Sequence, residues 1–278
     1  MTHIAPHSLS DALSALSRHT GARLLAGGTD FFPSLGDGLP PETIIDITRV
    51  AELRGITAND AGWRIGAAVR WSDVIKADLP PCFDALKAAS REVGSVQFQN
   101  AGTVAGNLCN ASPAADGVPP LLALRASVEI AGPGGLRHMD LADFLLGVRK
   151  TALAPGEILA AVHVPAQPAD SVSAFRKLGS RRYLVISIVM VAVNLWVARG
   201  RIAGARVAVG AASPVARRLP GLEAALVGLP VDTQGPFTRA EHLTQLSPIA
   251  DVRGSAEYRA EAVAELCDRA IRGALMHG

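Results

Sequence analysis

The sequence is poor in cysteine, in aromatic residues and in excess charge of either sign. Its three cysteines, Cys82, Cys109 and Cys267, form no CxxC pair, so neither a disulfide framework nor an iron–sulfur cluster with four cysteine ligands is expected. Aromatic residues make up only 4% of the 278 residues, which leaves Leu, Val, Ile and Ala to build the core. The 27 basic and 25 acidic side chains nearly cancel, and this excludes the strongly basic surface of a nucleic-acid-binding protein.

Long uninterrupted apolar runs are also absent. The most apolar stretch, residues 184–198, is interrupted by Ser187 and Asn194 and falls short of the roughly 20 residues of a membrane helix. Its content of Val and Ile is instead typical of a buried strand. The first residues lack a basic stretch followed by an apolar one, so no signal peptide is predicted. We therefore expect a cytoplasmic protein without a membrane span.

The common catalytic signatures are missing as well. The chain contains no GxGxxG motif after a strand and no GxxxxGKS/T or HExxH motif, which removes the main support for a Rossmann dehydrogenase, a P-loop NTPase or a zinc protease. Among the seven histidines, His138 and His163 stand in strand or turn positions without a partner nearby in the sequence. We accordingly predict no catalytic residue and no metal ligand.

Short strands alternate with short helices along the chain, which predicts an α+β fold in three parts, residues 1–52, 53–166 and 171–278. The last boundary follows from the linker-like composition of residues 165–171. Strands are predicted at 23–26, 43–47, 63–69, 127–131, 158–164, 184–198 and 202–209. Helices are predicted from Ser8 to residue 20 and at 72–75, 83–89, 141–146, 221–227 and 255–275, with a loop at 33–41.

Two glycine-rich turns are the first features that indicate a function. Residues 27–30 (GGTD) directly follow a predicted strand, and residues 102–107 (GTVAGN) begin a run of small and polar residues that ends at Asp116. Consecutive glycines allow positive φ and carry no Cβ, so backbone N–H groups can converge on an anion. The two turns together are suited to hold a diphosphate from two sides, although each turn alone is weak evidence, because a tight bend explains it better.

Three segments carry a resemblance to a known family. They are residues 23–30 (RLLAGGTD), 103–108 (TVAGNL) and 111–116 (ASPAAD), and they resemble the FAD-binding medium subunit of the molybdenum hydroxylases, the group of xanthine dehydrogenase and carbon monoxide dehydrogenase. Residues 177–182 (KLGSRR) and the last predicted helix extend the resemblance over nearly the whole chain. It implies a two-subdomain FAD-binding fold of the vanillyl-alcohol oxidase and MurB (PCMH) type, followed by a C-terminal α+β domain with a small antiparallel sheet and helices.

The resemblance also implies which residues bind the cofactor, a non-covalent FAD. Residues 25–30 would wrap the diphosphate, the second turn would hold it from the other side, and Asp116 would bind ribityl or ribose hydroxyls. The implied cofactor-binding residues are Leu25, Ala26, Gly27, Gly28, Thr29, Asp30, Gly102, Thr103, Ala105, Gly106, Asn107, Asp116, Lys177 and Ile186.

Two of these assignments have alternatives. Lys177 would lie beside the carbonyl edge of the isoalloxazine, where a cation stabilises a reduced, anionic flavin, or it is a solvated lysine in a turn. Asp116 binds cofactor hydroxyls or caps a helix that begins near residue 118.

The chain also departs from the family pattern. Ala105 replaces the first glycine of the family's usual Gly-Gly-Asn. Residues 183–186 (YLVI) stand where some members have acids or a tyrosine, so Ile186 is expected to face the ring and the use of NAD is open.

The implied function is electron transfer within a larger complex. FAD would receive electrons from 2Fe–2S clusters and pass them to an external acceptor, such as NAD, a quinone, a cytochrome or O₂. The 2Fe–2S clusters and the molybdopterin would belong to a small and a large partner subunit, arranged as a dimer of heterotrimers. Two alternatives remain open: a self-contained flavin reductase or oxidase of the MurB type, and a flavin-free scaffold subunit.

Overall fold

The computed structural model describes residues 1–182 and 184–276, so Tyr183 of the YLVI segment lies outside the described residues. The helices are α1 Leu9–Arg18, α2 Phe31–Leu35, α3 Trp71–Lys76, α4 Asp84–Glu92, α5 Val96–Ala101, α6 Val104–Asn110, α7 Val118–Ala123, α8 Leu141–Phe144, α9 Pro220–Leu226 and α10 Ala256–Leu275. Short 3₁₀ helices cover Ile47–Arg49, Ala51–Leu53, Pro81–Phe83 and Ala240–Leu243.

The strands are short at the N-terminus and longest near residue 200. They are β1 Thr2–Ile4, β2 Arg23–Leu25, β3 Thr43–Asp46, β4 Ile56–Asn59, β5 Gly62–Gly66, β6 Ser127–Gly132, β7 Gly135–Asp140, β8 Leu145–Gly147, β9 Lys150–Thr151, β10 Ile158–Pro165, β11 Val172–Leu178, β12 Val189–Ala198, β13 Arg201–Gly210 and β14 Arg217–Arg218. Helices and antiparallel sheets are mixed, which confirms the α+β fold class.

Within the described residues the strands form three main sheets. The first is parallel, in the order β1-β3-β2. The second is antiparallel, in the order β4-β5-β10-β6-β7, with β10 at its centre. The third is an antiparallel meander, β11-β12-β13-β14. A two-stranded ladder joins β8 and β9.

Helix α1 illustrates how local sequence sets an element. The Ser8 hydroxyl accepts a hydrogen bond from the Asp11 N–H at 3.1 Å and caps the helix. Ala12 and Ala15 lie on its buried face. The helix predicted from Ser8 is therefore confirmed.

The strand predicted at 184–198 is confirmed from Val189 to Ala198. In β12, Val191 and Val193 belong to one hydrophobic core, which α9 and α10 help to form, whereas Met190 and Ala192 belong to the other core. A strand that is buried on both faces needs an apolar residue at nearly every position, which explains the run in the sequence. The strand begins only at Val189, so the prediction that it starts at 184 is wrong.

Two further predictions need correction. The predicted loop at 33–41 overlaps α2, which ends at Leu35. The second glycine-rich turn is mostly helical, because α6 runs through Gly106 and Asn107. In the part of the chain that the structure describes, no helix is both long and apolar enough to span a bilayer.

Candidate cofactor site

The two glycine-rich segments touch each other although 75 residues separate Gly27 from Gly102. A Cβ placed on Gly27 would lie 1.9 Å from the carbonyl oxygen of Ala101 and 2.7 Å from the Cα of Gly102. Only glycine allows this approach of two backbones. The glycine that sequence reasoning assigned to the diphosphate therefore has a packing role, because it brings the two segments together.

Backbone hydrogen bonds join the second glycine-rich segment to residues 69–71. The Val104 N–H donates to the carbonyl of Val69 at 3.0 Å, and the Trp71 N–H donates to the carbonyl of Gly102 at 3.2 Å. The Thr103 hydroxyl accepts from the Gly106 N–H at 3.0 Å and caps α6. The segment therefore contains the capped N-terminus of α6 and is held in place by its hydrogen bonds to residues 69–71.

The first segment carries backbone donors that have no acceptor within the described residues. Among residues 1–182 and 184–276, no protein acceptor pairs with the N–H groups of Gly28, Thr29 and Asp30. Gly28 has φ of +72°, the conformation that glycine adopts without strain. Three successive free donors at a bend are the arrangement that binds anions.

A cavity of about 330 Å³ lies between the two segments. Ten of the predicted site residues line it: Ala26, Gly27, Gly28, Thr29, Asp30, Gly102, Thr103, Ala105, Gly106 and Asn107. Sequence reasoning missed other lining residues, among them Phe31, Trp71 and Phe98. Their aromatic rings carried no signal because they stand outside the glycine-rich motifs.

A second cavity, of about 590 Å³, adjoins the first. The two share four lining residues: Asp30, Phe98, Asn107 and Asn110. Asp116 and Ile186 line the second cavity, and the side chains of Ile186 and its neighbour Leu184 are each 54% exposed. The site is therefore elongated, with a backbone-lined end and an end that opens to solvent beside apolar side chains.

A buried cluster of three side chains stands beside the second cavity. Lys177 Nζ lies 3.0 Å from Asp116 Oδ2 and donates to the carbonyl of Glu92 at 3.2 Å. Ser187 Oγ donates to Asp116 Oδ1 at 2.8 Å. The side chains of Lys177 and Asp116 are only 6% and 12% exposed. We call Asp116, Lys177 and Ser187 the acid–lysine cluster.

This geometry rules out the solvated turn position for Lys177 and the helix-cap role for Asp116. Lys177 lies in strand β11, nearly buried, and is not a solvated turn lysine. The cap residue of α7 is Gly117, and no side chain caps that helix, so Asp116 is not its N-cap. The interruption of the apolar run at Ser187 was the sequence signal for its partnership with Asp116.

Burial dominates the electrostatics of the cluster. It raises the pKa of the Asp116 carboxyl above its usual value, and the charge and hydrogen bond of Lys177, with the hydrogen bond of Ser187, reduce that rise. The negative charge of Glu92 acts in the same direction as burial. The Asp116 charge thus depends on Lys177, and breaking the pair favours the protonated acid.

Two predicted residues do not line these cavities. Leu25 is buried at the end of β2 and belongs to the support of the first segment. Lys177 borders a separate surface cleft and reaches the site only through Asp116.

A buried arginine that the sequence analysis missed also borders the second cavity. Arg259, at the start of α10, pairs with Asp251 at 2.6 Å and donates to the carbonyls of Ile188 and Ala211. These bonds tie the residue before β12 and the residue after β13 to the start of α10.

Two family models match the chain. The FAD binding domain in molybdopterin dehydrogenase matches residues 1–167, more than half of the chain. The CO dehydrogenase flavoprotein C-terminal domain matches residues 173–274. The chain belongs to this flavoprotein family. It is an FAD-dependent oxidoreductase subunit of the xanthine and CO dehydrogenase type, as the resemblance implied.

Relatives with this assignment align with nearly the whole length of this medium subunit. The xanthine dehydrogenase FAD-binding subunit of Escherichia coli O157:H7 is 33% identical over 96% of this chain and 94% of its own. The CO dehydrogenase medium chain of Afipia carboxidovorans is 31% identical over 97% and 94%. The solved CO dehydrogenase from Oligotropha carboxidovorans is 27% identical, with a TM-score of 0.93 over 100% of this chain and 98% of the matched chain.

The geometry of the medium subunit fits FAD. The free N–H groups of Gly28, Thr29 and Asp30 provide donors for a diphosphate without a lysine, and all three residues line the first cavity. The second cavity continues toward a buried acid and exposed apolar side chains. FAD is elongated and has an anionic diphosphate and a flat ring. The diphosphate suits the end of the site that has backbone donors, and the ring suits the end that has apolar side chains.

Proposed function

We propose that this subunit relays electrons through FAD from the 2Fe–2S clusters of a partner subunit to an external acceptor. The observation that carries the proposal is the contact between the two glycine segments, which lines an elongated cavity with free backbone donors at one end. Bound FAD supplies one- and two-electron chemistry, while the protein binds and tunes it.

The diphosphate end is proposed to act through backbone atoms. Residues 25–30 wrap the diphosphate from one side, and Thr103, Gly106 and Asn107 hold it from the other. Ala105 lines the same cavity and is 4% exposed. Neutral donors bind the anion without adding a competing positive charge next to the redox centre.

The ring end is proposed to act through side chains. Lys177 and Ser187 each donate to one oxygen of Asp116, and Asp116 accepts cofactor hydroxyls with the lone pairs that remain on these oxygens. Lys177 provides a positive charge behind it, and Ile186 faces the ring at the open end of the cavity. Because Ile186 and Leu184 are half exposed, this open end is the side from which the electron acceptor approaches.

The other redox centres are proposed to belong to partner subunits. The three cysteines are free; Cys82 and Cys267 are buried in separate cores, and Cys109 is exposed, so they cannot hold a cluster together. We propose a small 2Fe–2S subunit and a large molybdopterin subunit, assembled as a dimer of heterotrimers. Residues 1–52, 53–166 and 171–278 are proposed as the structural units of the chain.

Co-purification from the native host tests this proposal. Absorbance, iron and molybdenum are measured on the tagged chain after mild purification. A yellow complex with iron- and molybdenum-containing polypeptides supports the relay. A yellow chain that purifies alone, with reductase or oxidase activity of its own, would instead support the self-contained flavoenzyme. A colourless chain would support a scaffold.

Acid precipitation tests whether the FAD is non-covalent. The glycine segments contain no histidine, and Cys109 is the one cysteine that lines the first cavity among the described residues. We expect all flavin to appear in the supernatant. Colour that stays in the pellet would mean a covalent link, and Cys109→Ser would then identify the residue.

A further inference from the structure

A row of polar side chains crosses the second sheet on the face opposite the hydrophobic core. Glu129 of β6 pairs in register with His138 of β7, and Arg64 of β5 pairs in register with His163 of β10. The neighbouring residues Val128 and Val162 point the other way and belong to the core. Strand order therefore places Arg64, His163, Glu129 and His138 on one face.

Three of these side chains converge on one point. One ligand atom each from Glu129, His138 and His163 lies within 4.8 Å of the others. His163 Nε2 is 2.7 Å from Glu129 Oε2, and the two imidazole rings meet edge to face with centroids 5.1 Å apart. A cation with ligand bonds of roughly 2.0–2.2 Å would need only small rotations of these side chains to contact all three.

We propose that Glu129, His138 and His163 form a binding site for a zinc-like divalent cation. Two imidazole nitrogens and one carboxylate oxygen are the ligand set of open, three-ligand zinc sites. His138 is exposed and His163 is partly exposed, so water has access to a fourth position. Binding replaces the hydrogen bond between His163 and Glu129: the single ring proton of the neutral imidazole moves through solvent from Nε2 to Nδ1, and the freed Nε2 lone pair coordinates the metal.

Arg64 affects both the orientation of Glu129 and the affinity of the proposed site. Its Nη2 donates to Glu129 Oε1 at 2.8 Å and its Nε donates to Oε2 at 3.4 Å, while its Nη1 donates to the carbonyl of Glu52. The guanidinium therefore orients the carboxylate through a short bond to Oε1 and a long bond to Oε2, the oxygen that also faces His163. Its positive charge also opposes a bound cation, so Arg64 sets the affinity below that of the three ligands alone.

The site is separate from the cofactor cavities. None of the three residues lines either of them. The sequence carried no sign of the site, because Glu129, His138 and His163 stand apart in the chain and only strand pairing brings them together.

Titration of the FAD-loaded protein with Zn²⁺, after removal of bound metals by a chelator, tests the site. Calorimetry gives the affinity, and Co²⁺ absorbance reports a low-symmetry site with nitrogen and oxygen ligands. We expect His138→Gln and His163→Gln each to weaken Zn²⁺ binding at least about tenfold, since loss of second-sphere partners already costs that much. His7→Gln, at an exposed histidine elsewhere, is the matched control and should leave the affinity unchanged.

The double variant Arg64→Met/Glu129→Gln separates coordination by Glu129 from binding by two surface histidines. It removes one positive and one negative charge together, so Zn²⁺ binding should weaken at least about tenfold if Glu129 is a ligand, whereas a site of two histidines alone would keep its affinity. Circular dichroism and FAD content verify folding, and His138→Gln is available at an exposed position if His163→Gln misfolds. Absence of Zn²⁺ binding to the wild-type protein, or equal binding by His138→Gln, would overturn the site; unchanged binding by Arg64→Met/Glu129→Gln would remove Glu129 from it.

Discussion

The two ends of the cofactor site are built in different ways. At one end, backbone N–H groups of Gly28, Thr29 and Asp30 form the proposed binding surface, and their positions follow from one contiguous motif. At the other end, the acid–lysine cluster combines side chains from the segment before α7, from β11 and from the loop before β12. The first end depends on the absence of side chains, and the second on their exact pairing. Substitutions should therefore act on the two ends differently.

Gly27→Val is expected to have the largest effect. Its Cβ would overlap the carbonyl oxygen of Ala101 at 1.9 Å, and backbone atoms cannot move aside as a flexible side chain can. We expect FAD affinity to fall at least about a hundredfold, or ~2.7 kcal/mol, measured by flavin fluorescence titration. Gly134→Ala, where a Cβ meets nothing within 4 Å, is the control. Near-normal affinity in Gly27→Val would mean that contact between the two segments is not needed for binding.

Lys177→Met tests the side-chain end. The change leaves Asp116 buried without its cation, which should lower the free energy of unfolding by about 3 kcal/mol, less if Asp116 takes up a proton. Urea denaturation measures this, with Lys150→Met at an exposed position as control. The double variant Lys177→Met/Asp116→Asn should recover part of the loss, because it removes the unpaired charge.

The flavin potential and FAD content of Lys177→Met test whether Lys177 acts on the ring or binds the cofactor directly. If Lys177 were an unpaired cation beside the ring, its removal would strongly lower the two-electron potential of the flavin. Asp116, however, cancels most of the charge of Lys177. We expect a small decrease in potential and little change in FAD content. Loss of most FAD would contradict this, since it would give Lys177 a direct role in binding phosphate or ribose.

Gly28→Ala is expected to have an intermediate effect at the backbone end. Ala at a φ of +72° costs on the order of 1–3 kcal/mol, and the new Cβ would meet Phe32 Cε2 at 2.9 Å, a side chain that can rotate. Gly21→Ala has the same kind of strain, with φ of +88° and no neighbour within 4 Å. FAD affinity should fall in Gly28→Ala alone. Equal affinities in the two variants would remove Gly28 from the cofactor site.

Glu157→Gln is expected to have the smallest effect, on the cavity wall of the backbone end. Hydrogen bonds from Arg137, together with the Ala154 N–H, lower the pKa of Glu157 to about 2, against the effect of burial. The pair fixes the turn between Leu153 and Ile158, which line the first cavity.

The pH dependence follows from the direction of that shift. Because the folded pKa lies below the unfolded value of 4.5, the stabilisation is complete above about pH 4.5 and is lost as pH falls toward 2. Thermal melts should show a shallower loss of stability over this window in Glu157→Gln. Glu265→Gln, in an exposed pair on α10, serves as the comparison, and an identical acid profile for Glu157→Gln and the wild type would disprove the contribution.

Sequence reasoning predicted just over half of the helices and strands in the described residues, those whose signals are local. Ser8 and Ser255 both cap the helices that follow them, and the Val-rich run contains β12. It failed where the local signal conflicted with tertiary packing. Residues 184–188 are apolar enough for a strand, yet Ser187 turns to Asp116 and this segment borders the cavity instead. Glycines at 102 and 106 suggested a turn, yet the Thr103 cap starts a helix.

What the amino-acid sequence determined by itself was the backbone end of the site: consecutive glycines free of Cβ, a hydroxyl beside them, and the family to which such motifs belong. The tertiary structure decided the contact of Gly27 with Ala101, the pairing of Lys177 with Asp116, and the row formed by Arg64, His163, Glu129 and His138. The physical reason is range. Backbone conformation depends mainly on a residue and its neighbours in the chain, whereas side-chain pairing depends on which strands and helices fold against each other.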